Sequence, residues 1–416
     1  MTQYNVAVFF SDTGGGHRSA ALAVTAGIEE YASKNANLSP VYVSMDNIAE
    51  KSHPINRWFV NLYNYLLRYH QPQMKYYYWF LHLAKPNSSE FGYRISRPYL
   101  KKLVEQVNSD VIISVHPMIN HYLVRVLKEM GLREKTKFVT VVTDPNADLW
   151  QAWACPDVDL LVAPNDLAYN KLVEWGVSKE KLQIWGMPVH PDFLHPPKIS
   201  REKLLAKLGL APDRLTICIN AGWAGGGNSL NVYRCLDAVA QKVQVIFLCG
   251  HNEILFSQVQ EEAKHHTKIP TVILPFHENM ADLMSACDLM VTKAGGLTTY
   301  QAVAKRLPMA LDVITEPMPQ ERGTVDILVE QGLAFPIHKP DDILAIVKRI
   351  KHIPNRETLP LPTKHEFDRT HGVYDIAKQI LQWSRQHNPI IVDDKNSLQS
   401  EGFELPPEAT FDIVST

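Results

Sequence analysis

Short apolar, β-branched runs alternate with glycine-rich turns and stretches of helical spacing along most of the chain. Residues 5–10 read as a buried strand, 11–17 as a glycine loop, and 19–33 as a helix with Leu22, Ala26, Ile28 and Tyr31 at helical spacing. Further strands are expected at 41–43, 111–115, 138–142 and 160–162, with helices at 119–130 and 166–175. The stretch 190–197 is proline-rich, and after it the pattern restarts. The second cycle has strands at 216–220, 243–248, 272–274, 289–291 and 309–311, and a helix at 230–241. Continuous apolar strands separated by helices imply parallel sheets covered on both faces. The expected architecture is α/β, with two doubly wound domains facing across a cleft. Residues 1–195 form the first domain and 196–385 the second, whose last helix, 373–386, is able to cross back to the first. Residues 386–416 read as an acidic, disordered tail, since six acids there are opposed by Lys395 alone.

Composition narrows the choice of partner. The 42 Lys and Arg against 44 Asp and Glu leave a net charge of −2, which argues against a broad nucleic-acid-binding face. No run reaches the ~18 apolar residues of a membrane-spanning helix, and no basic n-region precedes an apolar run at the start. Five cysteines without C-x-x-C spacing read as reduced thiols, so neither structural zinc nor a disulfide framework is expected, and the location reads as cytoplasmic.

One segment departs from these averages. From Lys51 to Ser89 there is no acid, and Trp58 to Phe80 holds ten aromatics in 23 residues where the chain mean of 9% predicts about two. Indole and phenol rings beside cations suit a bilayer interface, where rings sit among headgroups and cations meet anionic lipid. Arg57, Trp58, Arg68, Lys75, Tyr77 and Trp79 are the candidate docking residues for an anionic membrane surface, which makes the protein peripherally membrane-associated. The alternative is an aromatic helical insertion packed on the first domain's core.

Three glycine loops lie between a strand and a helix. In Ser11-Asp12-Thr13-Gly14-Gly15-Gly16-His17 the glycines permit positive φ and close approach of a ligand to backbone amides. Gly15 and Gly16 are acceptor-side candidates. His17, at the mouth, suits acceptance of a hydroxyl proton, or else simply caps the helix. Residues 221–228, including Gly222, form the matching loop of the second domain. In Thr292 to Gln301, the amides from Gly295 to Thr298, including Gly296, suit a diphosphate at a helix start. Lys293 either adds charge there or is a solvated turn lysine, and Gln301 is one turn in, within reach of a ribose. Gln320 and Glu321 combine donors and acceptors suited to sugar hydroxyls, or form a helix N-terminal turn with a favourable acid. His116 and Asp144 are further cleft candidates at strand ends.

Taken in order, these motifs resemble a known family. Asp12-Thr13-Gly14-Gly15-Gly16-His17-Arg18, Ser114-Val115-His116-Pro117, Val141-Val142-Thr143-Asp144, Gly186-Met187-Pro188-Val189, Cys249-Gly250-His251-Asn252, Thr292-Lys293-Ala294-Gly295 and Pro319-Gln320-Glu321-Arg322-Gly323 are similar to the monogalactosyldiacylglycerol synthase and diacylglycerol glucosyltransferase group. Its more distant relative is the lipid-linked N-acetylglucosaminyltransferase of peptidoglycan synthesis. The resemblance implies the two Rossmann-like domains of a GT-B type glycosyltransferase, with UDP-hexose as donor and diacylglycerol or a related lipid as acceptor. It also implies inversion at the anomeric carbon and no metal or other cofactor. His17 matches the family's base, and Gly222, Gly295, Gly296, Thr298, Gln301, Gln320 and Glu321 match its donor contacts. Two positions depart from the family: Gln301 stands where an acid is usual, and Gly295-Gly296-Leu297 where many lipid galactosyltransferases have Gly-Pro-Gly. The alternatives are a transferase acting on another lipid-linked or soluble acceptor, and a non-catalytic nucleotide-sugar or lipid sensor. Nothing in the sequence sets the oligomeric state.

Overall fold

The computed structural model describes residues 3–35, 41–84, 88–265, 268–350 and 369–387, with the side chains of 82–84, 319, 320 and 387 excepted. The acidic tail expected at 386–416 lies, from residue 388 on, outside the described residues. The first sheet contains β1 (Tyr4–Phe10), β2 (Val41–Asn47), β3 (Val111–Ser114), β4 (Lys137–Val141), β5 (Leu160–Ala163) and β6 (Leu182–Ile184). The second contains β7 (Leu215–Asn220), β8 (Val243–Leu248), β9 (Thr271–Leu274), β10 (Leu289–Thr292), β11 (Met309–Asp312) and β12 (Ala334–Ile337). Their orders are 2-1-3-4-5-6 and 12-11-10-7-8-9, and every pairing is parallel.

The central strands are largely apolar because both of their faces are covered. On β1, Val6, Val8 and Phe10 enter one core while Ala7 and Phe9 enter another. On β8, Ile246 and Leu248 face one core and Val245 and Phe247 the other. The core that holds Val6 and Val8 continues through Cys218 and Ile246 of the second sheet, so a single apolar body joins the two halves. The helix Gly372–His387 takes part in that body, packing against the helix Gly16–Lys34 of the first half. Contact is close because Gly27 has no side chain: a Cβ there would lie 2.7 Å from Val373 Cβ.

Two strands have no counterpart in the sequence pattern, β6 and β12. Both are edge strands, one three residues long and the other carrying Pro336, which an edge tolerates because it needs fewer ladder donors. The helix expected at 230–241 is a shorter helix, Ser229–Cys235, followed by a 3₁₀ turn at Leu236–Val239.

Between β2 and β3 the acid-free segment folds as the helices Pro54–Tyr69 and Met74–Ala84. At 100° per residue, Trp58, Tyr65 and Tyr69 share one face of the first helix, and Val60, Tyr63, Asn64 and Leu67 share the opposite one. The first set is exposed; the second turns inward.

Candidate functional site

In open parallel sheets ligands bind beyond the carboxyl ends of the strands, where the strand order reverses. That point lies between β1 and β3 in the first sheet and between β7 and β10 in the second. The first receives His17 and His116; the second is flanked by loop 221–228 and Lys293 to Gly296.

Gly14 and Gly15 adopt φ of 73° and 81°, which turns the chain from β1 into the helix Gly16–Lys34 and sets His17 second in that helix. Gly16 is exposed, with nothing within 4 Å of where its Cβ would be. His17 Nδ1 lies 2.7 Å from the Val115 carbonyl oxygen, an obligate acceptor, so the ring proton is on Nδ1 and the Nε2 lone pair is left available. Thr143 Oγ1 is 3.3 Å from the same nitrogen. Burial pushes the His17 pKa down to about 4, with the carbonyl bond opposing in part, so the imidazole is neutral at physiological pH.

His116 is set the other way. The Met118 amide donates to its Nδ1 at 3.2 Å, which puts the proton on Nε2, 3.1 Å from Thr13 Oγ1. Its ring meets that of His17 edge-on, centroids 4.3 Å apart. Burial, and then the neighbouring His17, hold its pKa well below the usual value. Asp144 accepts from the Trp153 indole N–H at 2.6 Å, yet burial outweighs that bond and lifts its pKa to about 6.

On the second sheet, Gly222, Gly225 and Gly227 have φ of 78°, 68° and 88°. The space at Gly222 is open, whereas a Cβ on Gly227 would come within 2.8 Å of Lys293 Cε. Lys293 is therefore not a solvated turn lysine. Burial lowers its pKa, while the carboxylates of Glu321 and Asp312 hold it up. Asp312 also accepts from the Asn228 backbone amide at 2.8 Å, which fixes the end of the glycine loop. Burial raises the pKa of Glu321, Lys293 opposes, and Asp144 of the facing domain adds to the rise. A Cβ on Gly295 would lie 4.0 Å from Glu321 Oε1, so that carboxylate faces the β10 loop. Thr298 and Gln301 are half-buried on the helix Gly296–Ala304, and the Gln320 side chain lies outside the described residues.

The structure assigns some of the expected residues differently. The Cα of Gly296 faces the first domain, where a Cβ would stand 2.8 Å from both the Thr143 carbonyl oxygen and Pro145 Cδ. Gly15 lies likewise against the Trp223 ring of the second domain. Asn146 Nδ2 donates to Thr324 Oγ1 across the same seam at 2.9 Å. Of the docking candidates, Trp58 and Trp79 are 58% and 65% exposed, and Arg57 and Lys75 are exposed too. Tyr77 is buried between Tyr63 and Tyr78, because the inner face of its helix packs into a bridge with Leu67, Ala224 and Met318. Arg68 points inward as well, donating to the Ala224 carbonyl at 3.1 Å. These two residues belong to the seam between domains and not to the outer surface.

Several further residues of the site are not among the expected site residues. Asn64 receives the Gly14 amide at 3.0 Å and donates to the Asp12 carbonyl at 2.8 Å, and Tyr63 lies beside them. His251 and Phe276 stack at 4.5 Å beyond β8 and β9. His251 lies in the Cys249-Gly250-His251-Asn252 motif, position at the carboxyl end of a strand was the available signal for Phe276 and Asp312, and Tyr63 and Asn64 had none. Among the described residues no group of His, Cys, Asp or Glu is arranged to hold a metal ion.

Residues 17–189 match the family model described as monogalactosyldiacylglycerol (MGDG) synthase, and residues 229–380 match the glycosyltransferase family 28 C-terminal domain. The first part of the chain is thus similar to the monogalactosyldiacylglycerol synthase family and the second to the C-terminal domain of glycosyltransferase family 28. The chain is 29% identical over 354 residues to monogalactosyldiacylglycerol synthase 1, chloroplastic, of Arabidopsis thaliana, covering 82% of this chain and 64% of that protein. It thus spans just under two thirds of that relative's length. The fold is that of the UDP-GlcNAc 2-epimerase from Neisseria meningitidis, at TM-score 0.58 and 11% identity over 92% of this chain and 100% of the other. Acinetobacter baumannii MurG gives TM-score 0.52 at 12% identity, over 92% and 99% of the two chains. The family matches point to a glycosyltransferase, and the fold is the two-domain GT-B architecture.

Proposed function

We propose that this protein transfers a hexose from UDP to the free hydroxyl of diacylglycerol, with inversion at the anomeric carbon. The observation that carries the reading is the fixed tautomer of His17, whose Nδ1–H is held by the Val115 carbonyl while Nε2 remains a free acceptor at the first switch point. The lipid hydroxyl oxygen attacks the anomeric carbon as the bond from that carbon to the β-phosphate oxygen breaks, and the hydroxyl proton passes to Nε2. Charge developing on the departing diphosphate meets Lys293 and the amides of Gly295 to Thr298 at the start of a helix, as electrostatic stabilisation requires. The stacked rings of His251 and Phe276 supply a flat apolar face for the base. Glu321, with Gln320 next to it, offers acceptors to sugar hydroxyls.

The test is a panel of labelled UDP-hexoses with diacylglycerol vesicles. A labelled glycolipid of inverted anomeric configuration is the expected product. No lipid product from any UDP donor, or epimerised UDP-sugar in its place, overturns the reading.

The acceptor has to be taken from a bilayer, and the outer faces of the two aromatic helices supply a surface for it. Trp58, Tyr65, Tyr76 and Trp79 are each more than half exposed, with Arg57 and Lys75 beside them. No helix among the described residues is long and apolar enough to cross a membrane. On this reading the exposed rings sit at headgroup depth with the cations toward anionic lipid. Liposome flotation checks this: replacing Trp58 and Trp79 together with Ala is expected to lower the bound fraction roughly tenfold. Binding indifferent to both the double substitution and lipid charge would sink the docking surface.

A further inference from the structure

We propose that Tyr63 is a further substrate-positioning residue of the hexosyl transfer, delivered to the reaction point by the aromatic helix Pro54–Tyr69 and set among Gly14, Asp144 and Glu321. This rests on the reading of the protein as a hexosyltransferase.

The placement follows from how the helix is held. One turn of it reaches both glycine loops: Asn64 takes the Gly14 amide and donates to the Asp12 carbonyl, and Arg68 donates to the Ala224 carbonyl of the opposite domain. The carbonyls of Leu67 and Arg68 lie against Gly226, where a Cβ would meet them at 3.1 and 3.4 Å. Clamped at both ends, the turn has little freedom. Tyr63 is on the clamped side, and a Cβ on Gly14 would sit 3.7 Å from its hydroxyl. Tyr77 supports its ring edge-on at 5.6 Å. Tyr78, which also reaches Met318 Sδ at 3.7 Å, is hydrogen-bonded to its hydroxyl.

Asp144 of the first domain and Glu321 of the second are both near enough to raise the Tyr63 pKa, which burial chiefly pushes to about 12. The phenol is therefore protonated at working pH and keeps a proton to donate to a sugar oxygen. A hexose between Glu321 and His17 would lie against it. Tyr63 takes no proton and forms no bond in the reaction; it donates a hydrogen bond that orients the sugar, and its ring occupies space that water would otherwise fill. The same helix carries Trp58 on its outer face, so the lipid-facing and sugar-facing groups are five residues apart in the chain.

The test compares Tyr63→Phe, which keeps the ring and its contact with Tyr77, with Tyr78→Phe, which removes the Tyr63–Tyr78 bond but leaves the Tyr63 hydroxyl in place. Initial rates of lipid glycosylation, donor hydrolysis without lipid, and calorimetric affinity for UDP are measured on each full-length protein. Tyr63→Phe is expected to lower kcat for transfer by about tenfold or more and to lower the ratio of transfer to hydrolysis, with UDP affinity unchanged. Tyr78→Phe is expected to stay within about threefold of the unaltered protein. Transfer by Tyr63→Phe within twofold of the unaltered protein overturns the role of Tyr63 and leaves the hexosyltransferase reading standing. So does an equal loss in Tyr78→Phe, or a loss accompanied by a lower melting temperature and weaker UDP binding, each of which marks a packing role. If the unaltered protein transfers no hexose, both readings fall together.

Discussion

His17→Ala is expected to lower hexosyl transfer to diacylglycerol by roughly 10²–10⁴-fold, the usual contribution of a positioned general base, while UDP affinity stays unchanged. The second half of that expectation follows from geometry. His17 sits at the first sheet's switch point, and the loops suited to the diphosphate belong to the second sheet. The pH dependence tests the same assignment. The form that accepts a proton is the neutral imidazole, so lowering the pH removes activity as His17 becomes protonated, and burial moves that point from the ordinary 6.5 down to about 4. For His17, kcat/KM should therefore hold between pH 8 and 6 and fall only near 4. A limb near 6 would instead report Asp144, whose carboxyl burial raises to about 6, and Asp144→Asn should remove that limb alone. Initial rates across pH for the unaltered protein and both variants separate the cases. A His17→Ala protein as fast as its parent would mean that the acceptor proton goes elsewhere.

Gly186→Ala is expected to be the most destabilising single-methyl change, by about 3–5 kcal/mol, read as a fall in denaturation midpoint and as lost activity. Two costs combine. Gly186 has φ of 94°, a region that costs an L-residue about 1–2 kcal/mol. Its Cβ would also overlap the Arg369 carbonyl, backbone that cannot rotate away. Here the two connections between domains touch: Pro188 and His371 form an isolated bridge, and a Cβ on Gly372 would come 2.6 Å from the Trp185 carbonyl oxygen. Gly176→Ala is the control, since Gly176 has φ of 87° but nothing within 4 Å of the added carbon. It should show the conformational cost alone. Equal destabilisation in the two variants would mean that the crossing relaxes freely.

The sequence pattern carries the fold where burial is symmetrical. A parallel strand covered on both faces is largely apolar along its length, and 5–10, 216–220 and 243–248 are readable for that reason. At the edges the demand relaxes, and β6 and β12 leave no run to find. Within the site, the glycine loops are legible because only glycine adopts their backbone easily, and His17 because it follows one of them. What orients His17 is the carbonyl of Val115, a group that every residue has and no side chain advertises. The aromatic helices hide their inner face for the opposite reason. Tyr77 and Trp79 are equally apolar and basic neighbours flank both, so composition alone ranks them together, whereas packing buries one and exposes the other. Tyr63 and Asn64 are lost in the same uniformity.

The helix Gly372–His387, which packs against Gly16–Lys34, has a consequence for the time at which the protein becomes whole. During synthesis the early helix and its strands emerge first, but the surface around Gly27 that Val373 will cover stays bare until several hundred further residues have been added. At ~5–20 residues per second that interval is on the order of tens of seconds, far longer than a helix needs to form. Throughout it the nascent first half presents an apolar strip with no partner yet made, a target for chaperones and for neighbouring nascent chains.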